Sequence, residues 1–201
     1  MRKANDQKAE TRQRIADAAG RLFRQHGIDA VGVDAIMHAA GLTHGGFYGH
    51  FPSKEALVAE VAAASLARAA ARWQRIARAG APGPALRQIV GSYLDPAHVA
   101  EMERGCVLTT LGPEVARRPE ARPAIAASVR VMADALGRCL PAGDEACALS
   151  ALSTMVGAVV LARLADSPEL AAAILAAAQG AVLPHDSISP APPERSARSA
   201  G

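Results

Sequence analysis

Cysteine, lysine and aromatic side chains are all scarce in this chain. The three cysteines, Cys106, Cys139 and Cys147, form no close pair and show no metal-type spacing, so they supply no ligand set for a zinc or iron–sulfur site. Aromatics make up 3% of the residues. Strands favour aromatic and β-branched side chains, so this argues against a β-sandwich. Lysine occurs three times against nineteen arginines, and the net formal charge is only +3. Met1–Arg14 is polar and lacks the apolar centre of a secretory signal. With an odd cysteine count, that fits a reducing cytoplasm, and a cytoplasmic location is expected. The longest stretch free of Asp, Glu, Lys, Arg and His, Ala146–Ala162, covers 17 residues. A membrane span wants about 20 apolar residues, so this reads as a buried helix and no membrane partner is expected.

What the chain has is alanine, 48 residues of 201. Alanine is the best helix former, so half the chain being hydrophobic points to an all-α protein rather than to disorder. The size allows one medium domain or two small ones.

Periodicity places the helices. Ile15, Ala18, Ala19, Leu22 and Phe23 share one helical face, and Gly27 marks its end. Arg12, Arg14, Arg21 and Arg24 lie largely elsewhere on that helix, where a solvated face and a functional basic face are equally open. A short helix follows from about Val33 to Ala40 and stops at Gly41. Thr43 is placed to cap another, about His44 to His50. Ser53 can cap a long helix from Lys54 to about Arg78, which Gly80–Pro84 terminates. Shorter pieces are expected near Ala85–Leu94, Ala97–Arg104 and Val107–Arg117, with Pro113 making the last irregular. Two stronger helices cover about Arg122–Leu140 and Asp144–Leu164. Ser167 and Pro168 read as N-cap and N1 of a final helix to about Val182. The stretch 184–201, with four prolines and four serines, reads as a disordered tail.

Val33–His50 therefore has the form of a helix-turn-helix, whose second helix can enter the DNA major groove. Gly41 supplies the turn and Leu42 can pin it to the core. Thr43 can cap the helix and donate to a phosphate. Gly45 and Gly46 let the backbone approach closely. His44 and Tyr48, four apart, are expected on one exposed face, continued by His50 and Lys54. Phe47 and Phe51 read as core.

In register across this segment stand Thr11-Arg12, Ile15, Ala18-Ala19, Leu22-Phe23, Gly27, Val33, Ile36, Ala40-Gly41-Leu42-Thr43, Gly45, Phe47-Tyr48, His50-Phe51 and Ser53-Lys54-Glu55-Ala56-Leu57. Over about Thr11 to Val61 the sequence resembles the TetR family of bacterial transcriptional regulators. The resemblance implies a three-helix DNA-binding domain at 1–53 and a helical ligand-binding and dimerisation domain at 54–183, followed by the tail. It implies a ligand-responsive repressor that binds a palindromic double-stranded DNA operator as a homodimer, without a cofactor and without catalysis. DNA contacts carry over onto Thr43, His44, Gly45, Gly46, Tyr48, His50 and Lys54. Of these, Tyr48, His50 and Lys54 fall on phosphates, and Thr43, His44 and Gly46 nearer the bases. The dimer helices would be about Arg122–Leu140 and Asp144–Leu164. Two positions depart from the family. Val31-Gly32 stand where Thr or Ser is common before the second helix, and Asp34 stands where a basic residue is common. Arg2 and Lys3 form an arm within reach of a minor groove.

An unidentified small-molecule effector is expected in a mainly apolar pocket, with Trp73, Tyr93, Met102, Cys106, Leu111 and Met132 as candidate lining. Cys106 follows Gly105 at a helix start. It reads either as a small buried hydrophobe or as the thiol of an electrophile-sensing repressor. Cys139 and Cys147 read as packing residues on the dimer helices. An enzyme finds no support: the carboxylates of Glu101 and Glu103, two apart, do not share a helix face. A helical adaptor without DNA binding is the remaining rival. The charge is unevenly placed. Residues 1–54 hold eight Lys/Arg and five Asp/Glu, 8 − 5 = +3, and residues 55–183 hold twelve of each. The whole net charge thus sits with the helix-turn-helix.

Overall fold

A computed structural model describes residues 2–141 and 143–184. The expected tail falls outside them, apart from Pro184. Within the described residues the chain is helical and contains no strand. The order is α1 (Arg2–His26), α2 (Val33–Ala39), a 3₁₀ turn (His44–Gly49) and α3 (Lys54–Ala79). Then come α4 (Pro82–Tyr93), α5 (Pro96–Ala100), α6 (Val107–Thr110), α7 (Gly112–Ala116) and a 3₁₀ turn (Pro119–Ala121). Last are α8 (Arg122–Gly137), α9 (Glu145–Leu164) and α10 (Pro168–Val182).

Local chemistry sets these limits. Gly27 and Gly41 adopt φ of 82° and 69°, the left-handed region that ends α1 and turns the chain after α2. Ser53 Oγ accepts the Ala56 N–H, Asp144 accepts that of Cys147, and Ser167 Oγ that of Leu170. Each is an N-cap that satisfies one free donor of the first turn. Helix α4 begins at Pro82, three residues before the expected Ala85, because proline is favoured in the first turn.

Two apolar cores form. The first gathers Ile15, Phe23, Ile28, Ile36, Met37, Phe47, Phe51, Leu57 and Val58. The second gathers Leu66, Trp73, Leu86, Ile89, Met132, Leu136, Met155 and Val159. Helix α3 serves both: Leu57 to Ala62 lie in the first and Leu66 to Trp73 in the second. The two cores therefore meet inside α3, not at its start.

The region 97–117 differs most from expectation. In place of helices over Ala97–Arg104 and Val107–Arg117, α5 ends at Ala100, turns occupy 101–106, and α6 and α7 break at Leu111. Pro113 sits at the start of α7, where its missing N–H costs nothing. Val107, Leu111, Val115 and Ala121 fold back onto the first core. Helix α9 is long and apolar enough to cross a membrane by length and composition. Here it buries Ala148, Ala151, Leu152, Met155 and Val159 in the second core.

Candidate nucleic-acid interface and effector cavity

The helix-turn-helix is held from behind. Phe47 and Phe51 are buried and stacked at 5.8 Å, as read from the sequence. Leu42 packs on the same core. Arg14 Nη2 donates to the carbonyl of Ala40 at 2.7 Å, tying the turn to α1. Arg12 forms a two-point pair with Glu60, at 2.9 and 2.6 Å, and lies 4.0 Å over the Phe51 ring. Arg24 donates to the carbonyl of Glu103 at 2.6 Å. Arg12, Arg14 and Arg24 are thus engaged in holding the fold, whereas Arg21 is exposed.

The exposed surface of the motif consists of Thr43, His44, Gly45, Gly46, Tyr48 and Gly49, with Tyr48 65% exposed. His50 and Lys54 are half-buried, and the buried Nδ1 of His50 has no partner. Three expectations change. The second helix is a six-residue 3₁₀ turn rather than an α-helix. With three residues per turn, His44 and Tyr48 are not stacked on one face as an α-helix would stack them. Thr43 occupies the cap position, but its hydroxyl accepts no bond from the turn and stays free. Asp34, the departure on α2, pairs with His44 Nδ1. Its N-cap is Gly32, which has no side chain to cap with. The side chains of Arg2 and Lys3 lie outside the described residues.

The sequence could not expose how the second core meets the first. Glu103 receives Arg24 and Gln25 of α1. Glu114 accepts the Ile28 N–H at 2.7 Å. Arg118 bridges Asp29 at 2.6 Å and Glu55 at 2.9 Å. From the other side, Arg163 of α9 donates to the carbonyls of Val99 and His98 and to the hydroxyl of Thr109. Burial lowers the pKa of its guanidinium below the ordinary value. The segment 98–118 is therefore fastened to both cores.

Of the six candidate lining residues, three converge. Trp73, Tyr93 and Cys106 line a cavity of about 170 Å³ with His98 and Ser92. Trp73 and Tyr93 meet edge to face at 5.4 Å, and His98 Nδ1 lies 2.6 Å from the Tyr93 carbonyl. The Tyr93 hydroxyl is buried with no oxygen or nitrogen partner. Burial pushes its pKa well above the ordinary phenol range, and the neighbouring Cys106 thiol adds to the shift. Cys106 itself is half-buried. The other three do not join this cavity. Met102 is 41% exposed and lines a separate surface pocket. Leu111 is buried in the first core, because α6 and α7 fold back onto it. Met132 is fully buried in the second core. A larger apolar groove of about 590 Å³ was missed altogether. Val107, Leu108, Val115, Ile125, Val129 and Leu149 line it. Its walls come from α6, α7, α8 and α9, which no local pattern relates.

Residues 15–61 match the model of bacterial regulatory proteins of the tetR family. This segment, 15–61, is therefore the part of the chain that is similar to tetR-family regulators. The chain's N-terminal segment is similar to HTH-type transcriptional regulator AcrR of Shigella flexneri, with 43% identity over 60 residues. That match covers 30% of this chain and 28% of AcrR. Two solved structures share the fold. Reduced NemR of E. coli has a TM-score of 0.70 and 21% identity, covering 85% of this chain and 96% of NemR. A TetR-family regulator from Agrobacterium tumefaciens has a TM-score of 0.72 and 20% identity, covering 88% of this chain and 100% of the other. Within the matched segment, the helix-turn-helix form falls on α2 and the turn 44–49.

Helix α8 turns Met132, Ala133, Ala135 and Leu136 into the second core. Among the large exposed apolar side chains are Leu149, Leu161 and Leu164 on α9 and Leu170 on α10. Cys139 is buried just past α8, whereas Cys147 on α9 is exposed.

Proposed function

We propose that this chain is a ligand-responsive repressor that binds a palindromic DNA operator as a homodimer. One observation carries the DNA reading: a glycine-rich turn, 44–49, exposed on a base of buried Phe47 and Phe51. Such a turn brings bare backbone, Thr43 and His44 to a groove, while Tyr48, His50 and Lys54 suit flanking phosphates. The dimer reading rests on exposed Leu149, Leu161, Leu164 and Leu170, an apolar face on α9 and α10. Two copies joined there would set two turns about 34 Å apart, one helical repeat of DNA. The effector reading rests on the Tyr93 cavity. A ligand that accepts a hydrogen bond there would satisfy a buried hydroxyl that otherwise costs about 1–3 kcal/mol. It would release DNA by binding more tightly to the conformer with the wrong spacing.

The test is selection of genomic fragments by the full-length protein, followed by gel shifts at several salt concentrations. Expected are specific binding with a steep salt slope, from phosphate contacts, and loss of both dimer and operator binding in Leu164→Arg. Salt-independent or absent DNA binding would favour a helical adaptor.

A second reading keeps the DNA site and changes the signal: Cys106 senses electrophiles. It is supported by the half-buried position of Cys106 in the cavity beside Tyr93. Thiol-reactive compounds would then release the operator from wild type and not from Cys106→Ala.

A further inference from the structure

We infer that Asp34 is a positioning residue for DNA reading: it fixes the His44 imidazole so that Nε2 selects a base carrying an amino group. This rests on the DNA-binding reading above and goes beyond it to base choice.

The turn 44–49 contains six residues. Three are glycines, and a Cβ added at Gly45 or Gly49 would meet nothing within 4 Å. The protein's own packing therefore does not require glycine at those two positions. Phe47 points into the core. Only His44 and Tyr48 remain to present side-chain chemistry outward, and the Tyr48 ring packs edge to face on Phe47 at 5.3 Å. His44 opens the turn, with its side chain 55% exposed.

Asp34 stands on the first turn of α2, ten residues earlier and on a different element. Its carboxylate meets His44 Nδ1. A carboxylate only accepts, so Nδ1 must carry the proton and donate. In a neutral ring this contact fixes one tautomer and leaves the lone pair on Nε2. In the major groove that acceptor matches the N6 amino group of adenine or the N4 amino group of cytosine. A negative charge on the first turn of α2 also repels phosphate. Asp34 thus costs general affinity while it adds selectivity, which gives it a signature no ordinary surface charge shares.

The experiment is selection from a random-sequence duplex library at about pH 8, where an ordinary imidazole is neutral. The full-length wild type, Asp34→Ala, Asp34→Asn and His44→Ala are compared. Asp34 is exposed, so the variants are expected to fold, and a thermal melt checks this. Wild type should enrich adenine or cytosine at one position in each half-site. Asp34→Ala should lose roughly five- to tenfold of that discrimination, the worth of one hydrogen bond. Its binding to random duplex should hold or rise. Asp34→Asn, which keeps an acceptor oxygen, should retain part of the preference. His44→Ala should abolish it. Unchanged base preference in Asp34→Ala, with affinity shifted uniformly, would overturn the inference, as would enrichment of guanine at the position lost. If wild type enriches no sequence, the DNA reading itself falls and takes this inference with it.

Discussion

Glu114 accepts the backbone N–H of Ile28 at 2.7 Å, across 86 positions of sequence. Gly27 precedes that amide at φ 82°, and a Cβ there would lie 3.4 Å from Glu114 Oε1. The loop after α1 is thus shaped to receive this carboxylate. Removing it leaves a part-buried N–H without its partner. Glu114→Ala should lower stability by about 1–3 kcal/mol, read as an earlier urea midpoint. It should also weaken coupling between effector and operator, read as a smaller ligand-dependent change in DNA affinity.

Gly45 and Gly49 separate folding from binding. Each Cβ would enter open space, and neither φ is positive. Alanine also costs less backbone entropy than glycine, by about 0.5–1 kcal/mol within a helix. Gly45→Ala and Gly49→Ala should therefore melt at the same or a slightly higher temperature while losing operator affinity in a gel shift. A fall in melting temperature would show that the turn itself needs glycine.

Gly105 is the opposite case. A Cβ there would lie 2.8 Å from Arg163 Nη2 and 3.1 Å from the carbonyl of Glu101. The Arg163 head is committed to three acceptors and cannot retreat freely. Gly105→Ala should destabilise by about 1–3 kcal/mol, in the range of overpacking. Denaturation of Gly105→Ala beside Arg163→Lys would show whether the arginine clamp is what it disturbs.

Tyr93 makes alkaline pH a probe of the second core. Burial raises its folded-state pKa well above the ordinary phenol range. The neutral ring is therefore favoured in the folded state. Its contribution is fully present below the unfolded pKa of about 10. It is lost as pH rises above that value, because the unfolded chain ionises first. Tyr93→Phe should flatten stability against pH above about 10 relative to wild type. At neutral pH it should be neutral or slightly stabilising, since it removes a buried hydroxyl with no oxygen or nitrogen partner.

Where local chemistry sets the structure, the sequence is legible. Gly27, Gly41, Ser53 and Ser167 mark helix ends at the residues where the chain turns or caps. Phe47 and Phe51 announce a core face by their spacing. Elsewhere the deciding partner is far away. The break-up of 97–117 depends on Arg163, which reaches it from α9, and on Arg118, which reaches back to Asp29. Leu111 looked like pocket lining only because nothing local indicates that α6 and α7 pack on the first core. Thr43 was legible as a cap position, whereas the tightening of the following turn to 3₁₀ was not. Asp34 was legible as an oddity, and its partner His44 was visible, but not the contact between them.

Helix α3 has 26 residues and belongs to both cores. At about 1.5 Å per residue it is a rod of roughly 39 Å. Its C-terminal half packs into the second core through Leu66, Ala70 and Trp73, and its N-terminal end is Lys54, which follows the 44–49 turn in the chain. A tilt of about 5° near its far end would swing Lys54 by roughly 3 Å, on that same helical rise. That is close to the spacing of one base pair along a duplex, about 3.4 Å. A ligand that slightly reshapes the Trp73 end could thereby put the recognition turn out of register with its site by nearly one step, without any residue of the first core repacking.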